Sequence, residues 1–221
     1  MSFYESLQAS TAEARAWLLG APIIDDCLQG RVTLESYQAF LGQAYHHVRH
    51  TTPLLMTLGG RLPERLGWMR RAVAEYIEEE IGHEEWILDD IAAAGGDAQA
   101  VRNSRPGLAA EVMVAYAYDT IQRGNPAAFF GMVYVLEGTS VALALTAADR
   151  IQQALGLPDK AFSYLRSHGT LDQEHTQHLA RLVDAMTPAD QADVAHAARV
   201  FFKLYGDVFR ALPVAGTATC N

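Results

Sequence analysis

The residues best suited to chemistry stand in three groups. The first is His168-Gly169-Thr170-Leu171-Asp172-Gln173-Glu174-His175, with the spacing His-x3-Asp-x2-His. On a helix at about 100° per residue, Asp172 falls roughly 40° from His168, and His175 roughly 20° from it on the other side. The three side chains therefore share a face, and Tyr164, Leu165, Leu171, Leu179 and Leu182 belong to it as well. Polar groups centred on an apolar stripe pay a large desolvation penalty unless partnered, and a divalent metal is an efficient partner. The plainer alternative is a helix end or solvated rim.

The second group is Glu80-x2-His83, inside the run Glu78 to Glu85. Val73, Tyr76, Ile77, Ile87 and Ile91 gather on the side of Glu80, with His83 roughly 60° away. Glu78 and Glu85 read as solvent-facing. Gly82 weakens a helix at this point, which is easier to understand if another backbone or a substrate approaches closely. The third is Glu137, a lone acid between Phe129 and Val141, with Phe130, Val133, Tyr134, Val141 and Ala144 on its side. Taken alone, Glu137 could simply be hydrogen-bonded to a Tyr, Ser or Arg.

Together Glu80, His83, Glu137, His168, Asp172 and His175 make three carboxylates and three imidazoles. Mixed oxygen and nitrogen ligation suits iron or manganese, whereas a structural zinc would leave the set overprovided. Six ligands fit two metals with open positions, an arrangement chemically suited to two iron ions cycling between Fe2+ and Fe3+ with O2.

These residues need helices to position them. Apolar residues recur at three- and four-residue spacing along nearly every long segment, without sustained strand alternation, so the expected class is all-α. Expected helices run from Phe3 to Leu19, from a Thr33 cap to about Leu58, from about Pro63 to Ala94, and from about Pro106 to Arg123. Pro22 either begins a further helix or kinks the first. Asn125-Pro126 opens a helix reaching about Leu155. Asp159 to Met186 supplies the next, and Thr187-Pro188 starts the last, ending near Leu212. Residues 1–212 form one expected domain, and residues 213–221 a loose tail.

The ordered motifs Glu80-x2-His83, Glu137 and His168-x3-Asp172-x2-His175 resemble the heme-oxygenase-like diiron oxidase superfamily, with its TenA- and PqqC-like fold relatives. The resemblance covers most of the chain. It implies a compact heme-oxygenase-like bundle of about seven helices in which these six residues hold two iron ions. Members of that superfamily decarboxylate or desaturate small aliphatic acids, fragment amino acids or oxygenate nitrogen. The implied activity is thus an O2-dependent non-heme diiron oxidase or oxygenase acting on an aliphatic acid, amino acid or amine. Some members space the first pair as Glu-x6-His; Tyr76 stands at that position here, and the shorter spacing resembles the fatty-acid-decarboxylating branch. TenA-type thiamin hydrolases would use a cysteine nucleophile, and neither Cys27 nor Cys220 occupies a persuasive position for one. A heme ligand could be sought among His46, His47 and His50, but heme leaves the sextet without a purpose.

Around this set, Tyr45, His46, His47, Arg49 and His50 form a polar cluster that either touches substrate and orients ligands or makes ordinary structural bonds. Tyr134 and Tyr164 are expected to face the centre, although an aromatic core would explain them too. Arg102 and Arg105 could neutralise a carboxylate substrate. Seventeen Lys and Arg against 26 Asp and Glu leave a net charge of −9, which disfavours nucleic acid and anionic membrane as partners. Expected partners are a small-molecule substrate, O2 and an unidentified electron donor, with a homodimer left open. Two cysteines exclude a disulfide framework. The first residues lack a secretion signal, so the expected compartment is the cytoplasm. Phe129 to Ala148 is the most apolar stretch and, interrupted by Glu137, reads as a buried helix. The competing functional readings are a non-catalytic helical ligand-binding or protein-interaction module and a cofactor-independent or heme-linked redox protein.

Overall fold

A computed structural model describes residues 1–214, apart from the side chains of residues 168–175. The described residues form helices and turns with no strand. In chain order the first helices are α1 (Phe3–Ser10), α2 (Ala12–Leu19), α3 (Pro22–Leu28), α4 (Leu34–Val48) and α5 (Thr51–Arg61). A 3-10 turn, Glu64–Met69, leads into α6 (Arg70–Glu80), α7 (His83–Ala93), α8 (Ala98–Asn103) and α9 (Leu108–Arg123). A second turn, Pro126–Phe129, precedes α10 (Phe130–Leu155), and a third, Asp159–Ala161, precedes α11 (Ser163–Asp184) and α12 (Pro188–Arg210).

The all-α class stands, but the expected number of about seven helices does not: the described residues contain twelve α-helical segments. Expected long helices are broken by local chemistry. Pro53 cannot donate to Arg49 and its ring crowds that carbonyl, so α4 stops at Val48 and α5 restarts with proline in its first turn. Gly59 and Gly60, expected to end the helix, lie inside α5. Thr11 divides the first expected helix, and Pro22 begins α3 as its first residue. The expected helix from Pro63 to Ala94 becomes a 3-10 turn and two helices. Ile81 is extended and Gly82 has φ +90°, a left-handed conformation that favours glycine.

Helix starts follow capping chemistry. Ser2 and Thr33 form capping boxes with Glu5 and Ser36. Asp97, Asn125 and Thr187 accept from backbone N–H groups of the turns they open. The cap of α11 is different: Asp90, fully buried on α7, accepts from the backbone N–H of Ser163 at 3.0 Å and of Tyr164 at 2.9 Å, and also from the Ser163 hydroxyl. Burial pushes the Asp90 carboxyl above the usual range, and these donors oppose the shift.

Pro126–Leu155, whose most apolar 18-residue window has a mean hydropathy of 1.7, is long and apolar enough to cross a membrane by length and composition. In the fold it packs on α11, α12 and α3. At Gly131 a Cβ would lie 2.6 Å from Ala198 N and 2.8 Å from Val194 O, so α10 and α12 touch backbone to backbone. The start of that pair is tied by buried Asp190, whose carboxylate accepts from Arg65 at 2.6 and 2.8 Å, from Asn125 at 2.7 Å and from Thr187 at 2.6 Å. These donors hold its carboxyl well below the usual range. One apolar core lies mainly among α5, α6, α9, α10 and α12; a second lies among α4, α7, the far half of α10 and the start of α11.

Candidate functional site

A cavity of about 170 Å³ runs along the seam between the two cores. Its walls come from α3, α4, α5, α6, α10, α11 and α12, and most lining residues are apolar. The polar exceptions include His47, Tyr76, Glu80, Glu137, Ser140, Tyr164 and Tyr205.

Glu80 ends α6 and His83 begins α7. The left-handed turn at Gly82 folds one back on the other, so His83 Nδ1 stands 3.2 Å from Glu80 Oε2. Both side chains are largely enclosed, at 4% and 14% exposure. The Trp86 ring stacks on the His83 imidazole with centroids 4.0 Å apart, fixing the plane of that ring. Of the two approaches expected at Gly82, that of another backbone is not found: among the described residues nothing lies within 4 Å of a Cβ there, and the glycine answers to its backbone angle. Glu137 is buried in the middle of α10 and lines the same cavity as Glu80.

His168, Asp172 and His175 lie outside the described residues as far as their side chains are concerned; their backbone belongs to α11. Among the described residues, no group of three or more His, Cys, Asp or Glu side chains could hold a metal ion. The expectation of two iron ions is corrected accordingly. The described part of the sextet provides one Glu–His pair across a helix break and a separate acid on α10, a donor set too small for a two-metal centre.

The surrounding residues divide. His47 and Tyr164 line the cavity. His47 Nδ1 lies 3.0 Å from the Gln43 carbonyl and its ring meets Tyr205 edge-on. Tyr45 and His46 are buried on α4 but do not line the cavity; His46 Nε2 lies 2.9 Å from Ser104 Oγ. Burial, Arg49 and His50 together pull the His46 pKa down. Arg49 is exposed over the Tyr45 ring. Tyr134 does not line the cavity: its hydroxyl is 3.1 Å from Thr11 Oγ1 and accepts from Arg15 at 3.4 Å. Arg102 is engaged by Glu85 at 2.9 and 2.5 Å.

Sequence reading gives several wall residues no role in the site. Tyr76 lines the cavity and meets His178 edge-on, placing a ring between the cavity and a surface groove that His178 lines. Cys27, given no site position on sequence grounds, lines the cavity, where burial pushes its thiol up to about 11. Ser140 stands one helical turn beyond Glu137, a spacing that could have marked it.

Several solved structures share this fold. A domain of unknown function with a heme oxygenase-like fold from Shewanella denitrificans has a TM-score of 0.85 at 24% identity, covering 95% of this chain and 90% of that one. Heme oxygenase from Leptospira interrogans has a TM-score of 0.76 at 16% identity, covering 96% of this chain and 100% of that one. A TenA homolog from Pseudomonas syringae pv. tomato has a TM-score of 0.76 at 11% identity, covering 93% and 90%. None of the curated proteins matches the chain. Residues 38–206, which include α5 to α11 and most of α4 and α12, match the family described as iron-containing redox enzyme, and the chain belongs to that family, within the heme-oxygenase and TenA-like all-α fold.

Proposed function

We propose that this protein is an O2-dependent oxidase or oxygenase acting on a small organic substrate held in the cavity, with the reacting group facing the carboxylates of Glu80 and Glu137 in its wall. The observation that carries the reading is the placing of two carboxylates in the wall of an otherwise largely apolar cavity, in a chain of a redox-enzyme family. The apolar wall excludes water and strengthens electrostatic effects on the reacting bond. Glu80, whose carboxylate stands 3.2 Å from His83 Nδ1, and Glu137 each offer a carboxylate to accept a proton from the reacting bond. O2 is the oxidant. Electrons come from a C–H or N–H bond of the substrate, supplemented by an external donor where an oxygen atom is inserted.

Cavity size supports a small substrate. About 170 Å³ is close to the roughly 150 Å³ that accepts benzene in an engineered core, and well short of what a tetrapyrrole needs. A non-catalytic ligand-binding module would use the same cavity, and turnover separates the two. The test is substrate-dependent O2 uptake across a panel of aliphatic acids, amines and amino acids, with product analysis, on protein as purified and after anaerobic incubation with ferrous salt. Substrate-dependent uptake should appear, and Glu137→Gln should reduce it roughly a hundredfold. Binding of panel compounds without O2 uptake in either preparation would overturn the enzyme reading.

A further inference from the structure

We propose that Ser140 is the hydrogen-bonding contact for the polar group of a linear, mainly apolar substrate, and that Ala144, Ala147 and Cys27 seat its tail. The inference rests on the oxidoreductase reading above and names the substrate class for that site.

Two adjacent hydroxyls on α10 behave differently. Thr139 Oγ1 donates back to the Val135 carbonyl at 2.6 Å, the usual way for a helical hydroxyl to satisfy itself. Ser140 Oγ is screened from solvent, and among the described residues it has no hydrogen-bond partner, a back-bond of the kind Thr139 makes included. Buried polar atoms are nearly always satisfied, so an orphan that lines a cavity points to something that enters the cavity. One turn separates Ser140 from Glu137, an axial rise of about 4.5 Å, so a polar atom held by Ser140 lies one turn along α10 from that carboxylate.

Beyond Ser140 the cavity-facing stripe of α10 continues through Leu143, Ala144, Ala147 and Ile151. From Glu137 to Ile151 this is about 21 Å along the helix axis. Cys27 crosses from α3 at the far part of the stripe, its Sγ 3.9 Å from the Ala147 carbonyl. A volume of about 170 Å³ spread along such a length makes a narrow slot. An unbranched chain fits a slot of that shape; a compact ring system of equal carbon number does not.

Cys27 provides a readout independent of turnover. In full-length protein carrying Cys220→Ser, the rate of Cys27 alkylation by iodoacetamide at alkaline pH reports occupancy of the slot. The probes are n-decanol, adamantanol with the same number of carbons, and decane, which lacks the polar atom. Decanol should protect Cys27 and adamantanol should not. Ser140→Ala should weaken decanol protection roughly three- to tenfold, as expected for one hydrogen bond, while leaving decane protection unchanged. Ser140→Thr, which keeps the hydroxyl, should restore it, and Ala147→Leu should move the best-protecting alkanol to a shorter chain.

Equal protection by decanol and adamantanol would overturn the slot. Decanol affinity unchanged in Ser140→Ala would overturn the anchor, leaving a trapped water as the partner of Oγ. Decanol protection with the expected Ser140 dependence, but no O2 uptake with any panel compound, would overturn the enzyme reading and support this one.

Discussion

The two carboxylates in the cavity wall are delivered by opposite means. Glu80 and its neighbour His83 flank a rupture in the chain, where α6 stops, Ile81 extends and Gly82 adopts φ +90° before α7 begins. Glu137 sits inside an unbroken helix of 26 residues. A helix end can aim two side chains at each other, as the 3.2 Å contact shows, but it relies on one backbone conformation. A continuous helix relies on its neighbours: α10 holds Glu137 in place because α11 and α12 press on it, at Gly131 with no room for a methyl group. Both glycines therefore matter to the site, one for an angle and the other for a contact.

The largest expected effect breaks the contact. Gly131→Ala drives a Cβ into backbone atoms of Val194 and Ala198 and should destabilise the fold by about 3 kcal/mol, read as a fall in Tm of roughly 6–12 °C. Retention of wild-type Tm would show that the two helices separate freely. Next comes the tie at the start of the same pair. Asp190→Ala removes the partner of Arg65, Asn125 and Thr187 and should cost about 2 kcal/mol in a denaturant titration. Because the folded-state pKa of Asp190 is depressed, its contribution is fully present above the ordinary aspartate value of about 3.9 and is lost as pH falls below it. The stability difference between wild type and variant should therefore shrink on acidification through that window.

Gly82→Ala should have a smaller stability effect, about 1 kcal/mol, since the space is open and only the left-handed angle is penalised. Its effect on turnover should exceed that of an equally destabilising change on the outer surface, because the Glu80–His83 spacing depends on this turn; equal losses would remove the distinction. The smallest effect concerns the cluster behind His47. The lowered pKa of His46 means the folded state favours the neutral ring, so its contribution is present above the ordinary histidine value of about 6.5 and fades as pH drops below it. His46→Gln should flatten the slope of stability against pH between roughly pH 6.5 and 5.

What was legible in the sequence was what is local. Thr33, Asn125 and Thr187 mark helix starts because a hydroxyl or amide a few atoms from the N–H it accepts needs no tertiary partner. The breaks near His50 and Gly82 were harder to read, since apolar periodicity continues across both. Tyr134 is expected from its spacing to face the centre, yet its hydroxyl is held by Thr11 and Arg15 and it lies outside the cavity lining. A helix packed against several neighbours has more than one apolar side, so the angular argument loses its meaning there. The Asp90 cap was out of reach because its acceptor and donors are 73 and 74 positions apart in sequence. Cys27 escapes a sequence reading for a related reason: only the packing of α3 on α10 brings it to the cavity.

The Asp90 cap also has a mechanical meaning. It bolts the middle of α7 to the first turn of α11, so the helix that presents His83 and the helix that carries Tyr164 share a common pivot. A tilt of either one is transmitted to the other through a joint built on a fully buried carboxylate, so the Tyr164 stretch of the cavity wall moves only together with the helix that carries His83.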